Sequence, residues 1–171
     1  FIAHSNDWLI ARHLIRGHIK MNRVIARLIF TNICTYLNWQ QLITRITQLL
    51  SNITPSPTWF IEVHPFRIDT SDGIGRPTPE GAHRDGVDFV AVILVDRVGV
   101  KGGETRIFEA QGSVGLRFTL QESWSALLLN DAKMIHETTP IQPVSAHGYR
   151  DTLVLTFRRN GFQEPPHRRD Q

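Results

Sequence analysis

From Thr58 onward the apolar residues come in short runs separated by Gly, Pro, Asp and Ser, too short for helices and spaced as strands are. The run at 87–95 is almost wholly apolar, the pattern of a strand covered on both faces. Shorter runs follow at 104–109, 114–120, 124–129, 133–138 and 150–158, each bounded by turn residues. The run at 59–68 contains Pro65, which favours an edge or a bulge because proline donates no ladder hydrogen bond. Many short strands with turns between them predict an all-β sandwich or barrel. Trp124 reads as core packing.

The first 56 residues follow another rhythm. Residues 39–50 predict a helix, with Asn38 as its N-cap, Gln41 three positions on, and Leu42, Ile46, Leu49 and Leu50 along one face. Pro55 and Pro57 end it. Residues 8–31 mix Leu, Ile and Val with Arg12, Arg16, Lys20, Arg23 and Arg27 at a spacing more helical than strand-like. Such a segment suits a surface helix with solvated arginines better than one lying on a membrane, and Gly17 and Asn22 interrupt it. The expected organisation is an N-terminal helical segment (1–56) bracing a β core (57–160), with a flexible tail (161–171).

Composition adjusts this picture little. At 171 residues one domain is expected. No apolar run is long enough to span a bilayer and no secretory leader is visible. The first residue is Phe1 rather than Met, which leads us to expect residues upstream. The single cysteine, Cys34, excludes an intrachain disulfide, fits a reducing compartment and reads as packing. A cytoplasmic protein without membrane attachment is expected. The formal charge of +3 is unevenly spread. Residues 1–56 hold six basic residues and one acid, whereas 57–171 hold thirteen and fifteen. The β core is therefore near neutral, with no basic patch interleaved with aromatics, and no nucleic-acid partner is expected.

The candidate chemistry follows the loop 69–81, rich in Asp, Gly and Pro, which leads straight into His83-x-Asp85. In an extended segment, side chains two apart point the same way, so an imidazole and a carboxylate face one point. On its own such a triplet also fits a surface turn or a hydrogen-bonded pair. His136 stands 51 positions after Asp85, on a late strand, far enough for intervening strands to return to the same mouth. His83, Asp85 and His136 then form a two-His-one-carboxylate set, which suits non-haem Fe(II) with positions left open. Fourteen residues beyond stands Arg150, with Thr152 on the same face of the last strand. An arginine fork binds a carboxylate through two parallel hydrogen bonds, and a hydroxyl beside it adds another. His64 and His147 are rival ligands, but neither supplies the spacing to Arg150.

This order resembles the Fe(II)/2-oxoglutarate-dependent dioxygenases. The stretches Pro77-Thr78-Pro79-Glu80-Gly81-Ala82-His83-Arg84-Asp85-Gly86-Val87-Asp88-Phe89, Gly102-Gly103-Glu104-Thr105 and Tyr149-Arg150-Asp151 are similar to the bacterial branch that includes free amino-acid dioxygenases of the L-isoleucine 4-hydroxylase type. The resemblance covers roughly 58–158. It implies a mainly β protein whose core is a double-stranded β-helix, the cupin-like jelly-roll barrel, preceded here by helices. It implies Fe(II) held by His83, Asp85 and His136, 2-oxoglutarate as cosubstrate with its far carboxylate on Arg150 and Thr152, and O2. The reaction it implies is hydroxylation of a small molecule, a free L-amino acid, with release of succinate and CO2.

Arg84, Asp88 and Glu104 are the candidate substrate contacts; the plainer role for the two acids is pairing with nearby arginines. Gly102-Gly103 reads as a turn and Asp151 as structural. Two other readings fit the same residues: a cupin-like metalloenzyme that does not use 2-oxoglutarate, and a truncated homologue that binds without turnover.

Overall fold

A helix, α1 (Leu37–Ile53), turns two fully buried side chains, Ile43 and Leu50, toward the β core, with Leu42 and Ile46 partly buried beside them. The computed structural model describes residues 4–5, 8–11 and 37–162, with 57, 145 and 147 excepted. Two details differ from the sequence expectation. The described helix begins at Leu37, so Asn38 lies within it rather than ahead of it. Leu49 is 51% exposed, because it falls roughly 100° around the helix from Leu50. Ser51 accepts a hydrogen bond from the indole of Trp59 at 2.8 Å, which ties the end of α1 to the first long strand.

Eleven strands are described: β1 (His4–Ser5), β2 (Trp8–Ala11), β3 (Trp59–Asp69), β4 (Phe89–Val98), β5 (Val100–Gly102), β6 (Thr105–Glu109), β7 (Gly115–Phe118), β8 (Ala126–Asn130), β9 (Met134–Thr138), β10 (Ile141–Pro143) and β11 (Tyr149–Arg158). They form a six-stranded sheet in the order β1-β2-β3-β11-β4-β8, a three-stranded sheet β7-β6-β9 and the pair β10-β5. This is the predicted mainly β architecture, a jelly roll with one helix described ahead of it. Residues 8–11 correct the helical reading of 8–31: Trp8-Leu9-Ile10-Ala11 runs parallel to the start of β3, opposite Trp59–Glu62. Edge pairing outweighs a weak helical pattern there. Residues 12–31, Cys34, His147 and the tail from 163 lie outside the described residues.

Alternation sorts the large sheet's two faces. Trp59, Ile61 and Val63 of β3, Phe89, Ala91 and Ile93 of β4, and Leu153, Leu155 and Phe157 of β11 form one buried cluster with Ile43 and Leu50 of α1. Trp59 packs edge-on against Phe89 and Phe157 within it. The opposite face turns toward the small sheet, and a second cluster joins Val87, Val90 and Leu129 to Ile107 of β6. The strand at 87–95 is thus covered on both sides, as its composition predicts. Pro65 pairs with Leu153 beyond the end of the β2 contact, where its missing N–H costs no bond on the outer side. Trp124 departs from the core reading: it is 55% exposed at φ 68° in the turn before β8. Among the described residues no helix is long and apolar enough to cross a membrane.

Candidate active site

His83 and His136 come together through their backbones. The two residues form an isolated antiparallel bridge, His83 N–H to His136 O at 3.0 Å and His136 N–H to His83 O at 2.9 Å. Such a reciprocal pair places the side chains alongside each other, and the ring centroids lie 4.6 Å apart. Nδ1 of His83 donates to the carbonyl of Gly81 at 2.9 Å, which leaves Nε2 with its lone pair facing the site. Asp85 completes the group: Oδ1 is 3.6 Å from His83 Nε2 and Oδ2 is 3.7 Å from His136 Nε2. Ligand atoms of His83, Asp85 and His136 all lie within 4.8 Å of one another. Two imidazoles and one carboxylate on one side of an open cavity suit a divalent iron ion. Burial lowers the pKa of His136 against the opposing pull of Asp85. Its imidazole is therefore neutral, as a metal ligand must be.

Two loop contacts hold this arrangement. Thr78 clips the approach loop to β9, its hydroxyl donating to Thr138 O and accepting from Thr138 N–H, both at 3.0 Å. Asp131, only 1% exposed, accepts from the backbone N–H groups of Asp85, Gly86 and Val87 at 3.0, 2.8 and 3.0 Å. Neither residue stood out in the sequence. An Asn-Asp pair at a strand end signals a turn, and nothing in the chain's pattern says that the carboxylate is buried.

The triad opens into a cavity of about 320 Å3 between the two sheets, a size that suits a small molecule. Arg150 and Thr152 reach it from β11, on the same face as predicted. Arg150 is 2% exposed, and its Nε and Nη2 have no hydrogen-bond partner. Burial, and the neighbouring charge of Arg97, push its pKa down to about 10, so it remains a cation at neutral pH. Arg97, opposite Arg150 in the β4–β11 ladder, is occupied by the carbonyls of Leu120 and Gly102 at 3.0 and 3.1 Å. Gly102 and Gly103 both have positive φ, as a turn at this point requires. A Cβ on Gly102 would sit 2.5 Å from the carbonyl of Pro140.

The predicted substrate contacts lie elsewhere. Asp88 holds Arg159 through its backbone N–H and its guanidinium. Glu104 pairs with Arg106 at 2.8 Å. Arg84 is exposed and reaches the carbonyl of Ala132 at 3.3 Å. None of the three lines the cavity. Asp151 makes a two-pronged pair with Arg67 on the other face of β11, the structural role expected of it. His64 lines the cavity, stacked on Phe66, and is not part of the donor group. Glu80, unmarked in the sequence reading, is the carboxylate among the lining residues that stands outside the triad, 3.4 Å from His83 Nε2.

Comparison with known proteins agrees with this geometry. A sequence model of the family described as 2OG-Fe dioxygenase matches residues 25–156. Among solved structures, a bsmA homologue from Methylobium petroleophilum PM1 is 54% identical, with a TM-score of 0.71, over 75% of this chain and 53% of its own length. IDO from Bacillus thuringiensis is 22% identical at a TM-score of 0.51, over 58% of this chain and 48% of its own. An Fe(II)/(alpha)ketoglutarate-dependent dioxygenase, TqaL, is 21% identical at a TM-score of 0.51, over 65% and 47%. The last two share the fold. The chain spans about half the length of each of these structures. No curated protein matches it significantly.

Proposed function

This chain belongs to the 2OG-Fe dioxygenase family, and on that footing we propose that it hydroxylates a small molecule, a free L-amino acid, using Fe(II), 2-oxoglutarate and O2. His83, Asp85 and His136 hold the iron in this reading, and Arg150 with Thr152 receives the far carboxylate of 2-oxoglutarate. The observation that carries it is the buried, unpartnered guanidinium of Arg150 in the same cavity as the three donors. A buried cation without a partner is costly, and an entering carboxylate would satisfy both free N–H groups at once. That requirement favours a dicarboxylic cosubstrate over a cupin-like metal site that has no use for the clamp.

When bound, iron with its cosubstrate and oxygen supplies the oxidising power that places one oxygen atom on a C–H bond, releasing succinate and CO2. The chain's own residues do the rest. The His83–His136 bridge fixes two imidazoles side by side. Arg150 orients the cosubstrate from the sheet side, with the Thr152 hydroxyl beside it. Ile68, Phe66, Val92 and Val154 give the cavity an apolar wall that suits an aliphatic side chain. Glu80 offers a carboxylate to a substrate ammonium near the triad.

The test is succinate formation by the iron-loaded protein with 2-oxoglutarate and a panel of aliphatic L-amino acids. At least one member is expected to stimulate succinate release and to gain one oxygen atom by mass. Succinate release that no amino acid stimulates would contradict the amino-acid reading and leave the dioxygenase reading standing.

A further inference from the structure

We propose that Asp131 is a positioning residue for the metal site, aiming the Asp85 carboxylate at the two imidazoles. The inference rests on the reading of His83, Asp85 and His136 as the iron ligands. Asp85 belongs to no strand; the segment carrying it runs as irregular backbone from His83 to the start of β4. Nothing in a regular ladder fixes its direction, so it must be fixed otherwise. Three straps do so. His83 exchanges two backbone hydrogen bonds with His136. The carbonyl of Asp88 accepts from the N–H of Asp131 at 3.1 Å. Between them, the Asp131 carboxylate gathers the consecutive N–H groups of Asp85, Gly86 and Val87.

Successive N–H groups converging on one anion form a nest, and such a curl needs a left-handed residue. Gly86, at φ 72°, supplies it. Asp131 uses both oxygens, and no salt bridge to it is found among the described residues. Among the described residues, the hydrogen bonds to its carboxylate all come from this segment. Asp131 stands outside the donor group, in the turn between β8 and β9. That turn carries the chain on to His136. One carboxylate thus couples the segment that presents Asp85 to the strand that presents His136. Metal sites tolerate little misplacement, and partners that orient a ligand typically influence affinity tenfold to a hundredfold.

The experiment is an anaerobic Co(II) titration of the metal-free full chain, followed by visible absorption, for the unmodified protein and for Asp131→Asn, Gly86→Ala and Leu50→Ala. Asparagine keeps one acceptor oxygen but turns an NH2 toward the remaining N–H donors. Gly86→Ala has open space for its Cβ and strains only the φ that shapes the nest. Leu50→Ala lowers stability from α1, far from the site. Binding of Co(II) at least about tenfold weaker in Asp131→Asn and Gly86→Ala is expected, with an altered d–d spectrum at saturation. Leu50→Ala is expected to keep both affinity and spectrum. Affinity and spectrum unchanged in both site variants would overturn the proposal. Should Asp131→Asn fail to fold, Gly86→Ala decides alone. No Co(II) binding by the unmodified chain would instead contradict the ligand assignment itself.

Discussion

Arg150 carries a charge that no carboxylate among the described residues neutralises, and its surroundings hold a second arginine. Removing such a group relieves desolvation and like-charge repulsion while removing the clamp. Arg150→Met is therefore expected to leave the thermal midpoint of the metal-free protein unchanged or raised. It should also weaken 2-oxoglutarate binding by at least about tenfold, as loss of a charged hydrogen-bonded pair does. Calorimetry of unfolding and of cosubstrate binding checks both. A lowered midpoint with undiminished cosubstrate affinity would make Arg150 a structural residue. The residues proposed to hold the iron and the cosubstrate were the most legible part of the chain. His83 and Asp85 are two apart, and Arg150 and Thr152 are two apart, so a period of two already places each pair on one face. Asp131 and Thr78 were not legible. Their roles lie in backbone groups they meet across 44 to 60 positions of chain, and no local pattern encodes that.

The elements were read from periodicity, and they fail where periodicity is weakest. α1 was legible as an amphipathic helix, but its buried line is Ile43, Thr47 and Leu50, with Ile46 partly buried and Leu49 turned outward. Ile43→Ala is expected to cost about 2–5 kcal/mol, the usual range for emptying a fully buried aliphatic site. Leu49→Ala should change stability by less than about 0.5 kcal/mol. Chemical denaturation of the two variants decides, and equal losses would mean that α1 docks by another face. β2 was missed because four residues give too short a window to separate strand from helix, and only the edge of β3 selects between them. β5 and β10 were missed because strands of three residues leave no alternation to see. Trp124 shows the limit of composition: a large aromatic suggests burial, yet its turn places it in solvent.

At the scale of the molecule, a helix packs on one face of a large sheet while the other face shares a cavity with a smaller sheet. The mainly β class followed from run lengths alone. Neither the order of the strands nor the cavity did, because long-range pairings such as His83 with His136 depend on how the whole chain closes. That closure brings the metal donors and the unpaired guanidinium into one space, which is the central claim.

The most direct test is an anaerobic titration of the metal-free chain with Fe(II) and then 2-oxoglutarate, followed in the visible spectrum. Iron bound by a 2-oxo acid absorbs weakly there through charge transfer from metal to ligand. We expect that band to appear with one cosubstrate per chain, to be absent in Asp85→Ala, and to require more cosubstrate in Arg150→Met. Iron binding without any band on addition of 2-oxoglutarate would contradict the account and favour a metal site that does not use this cosubstrate.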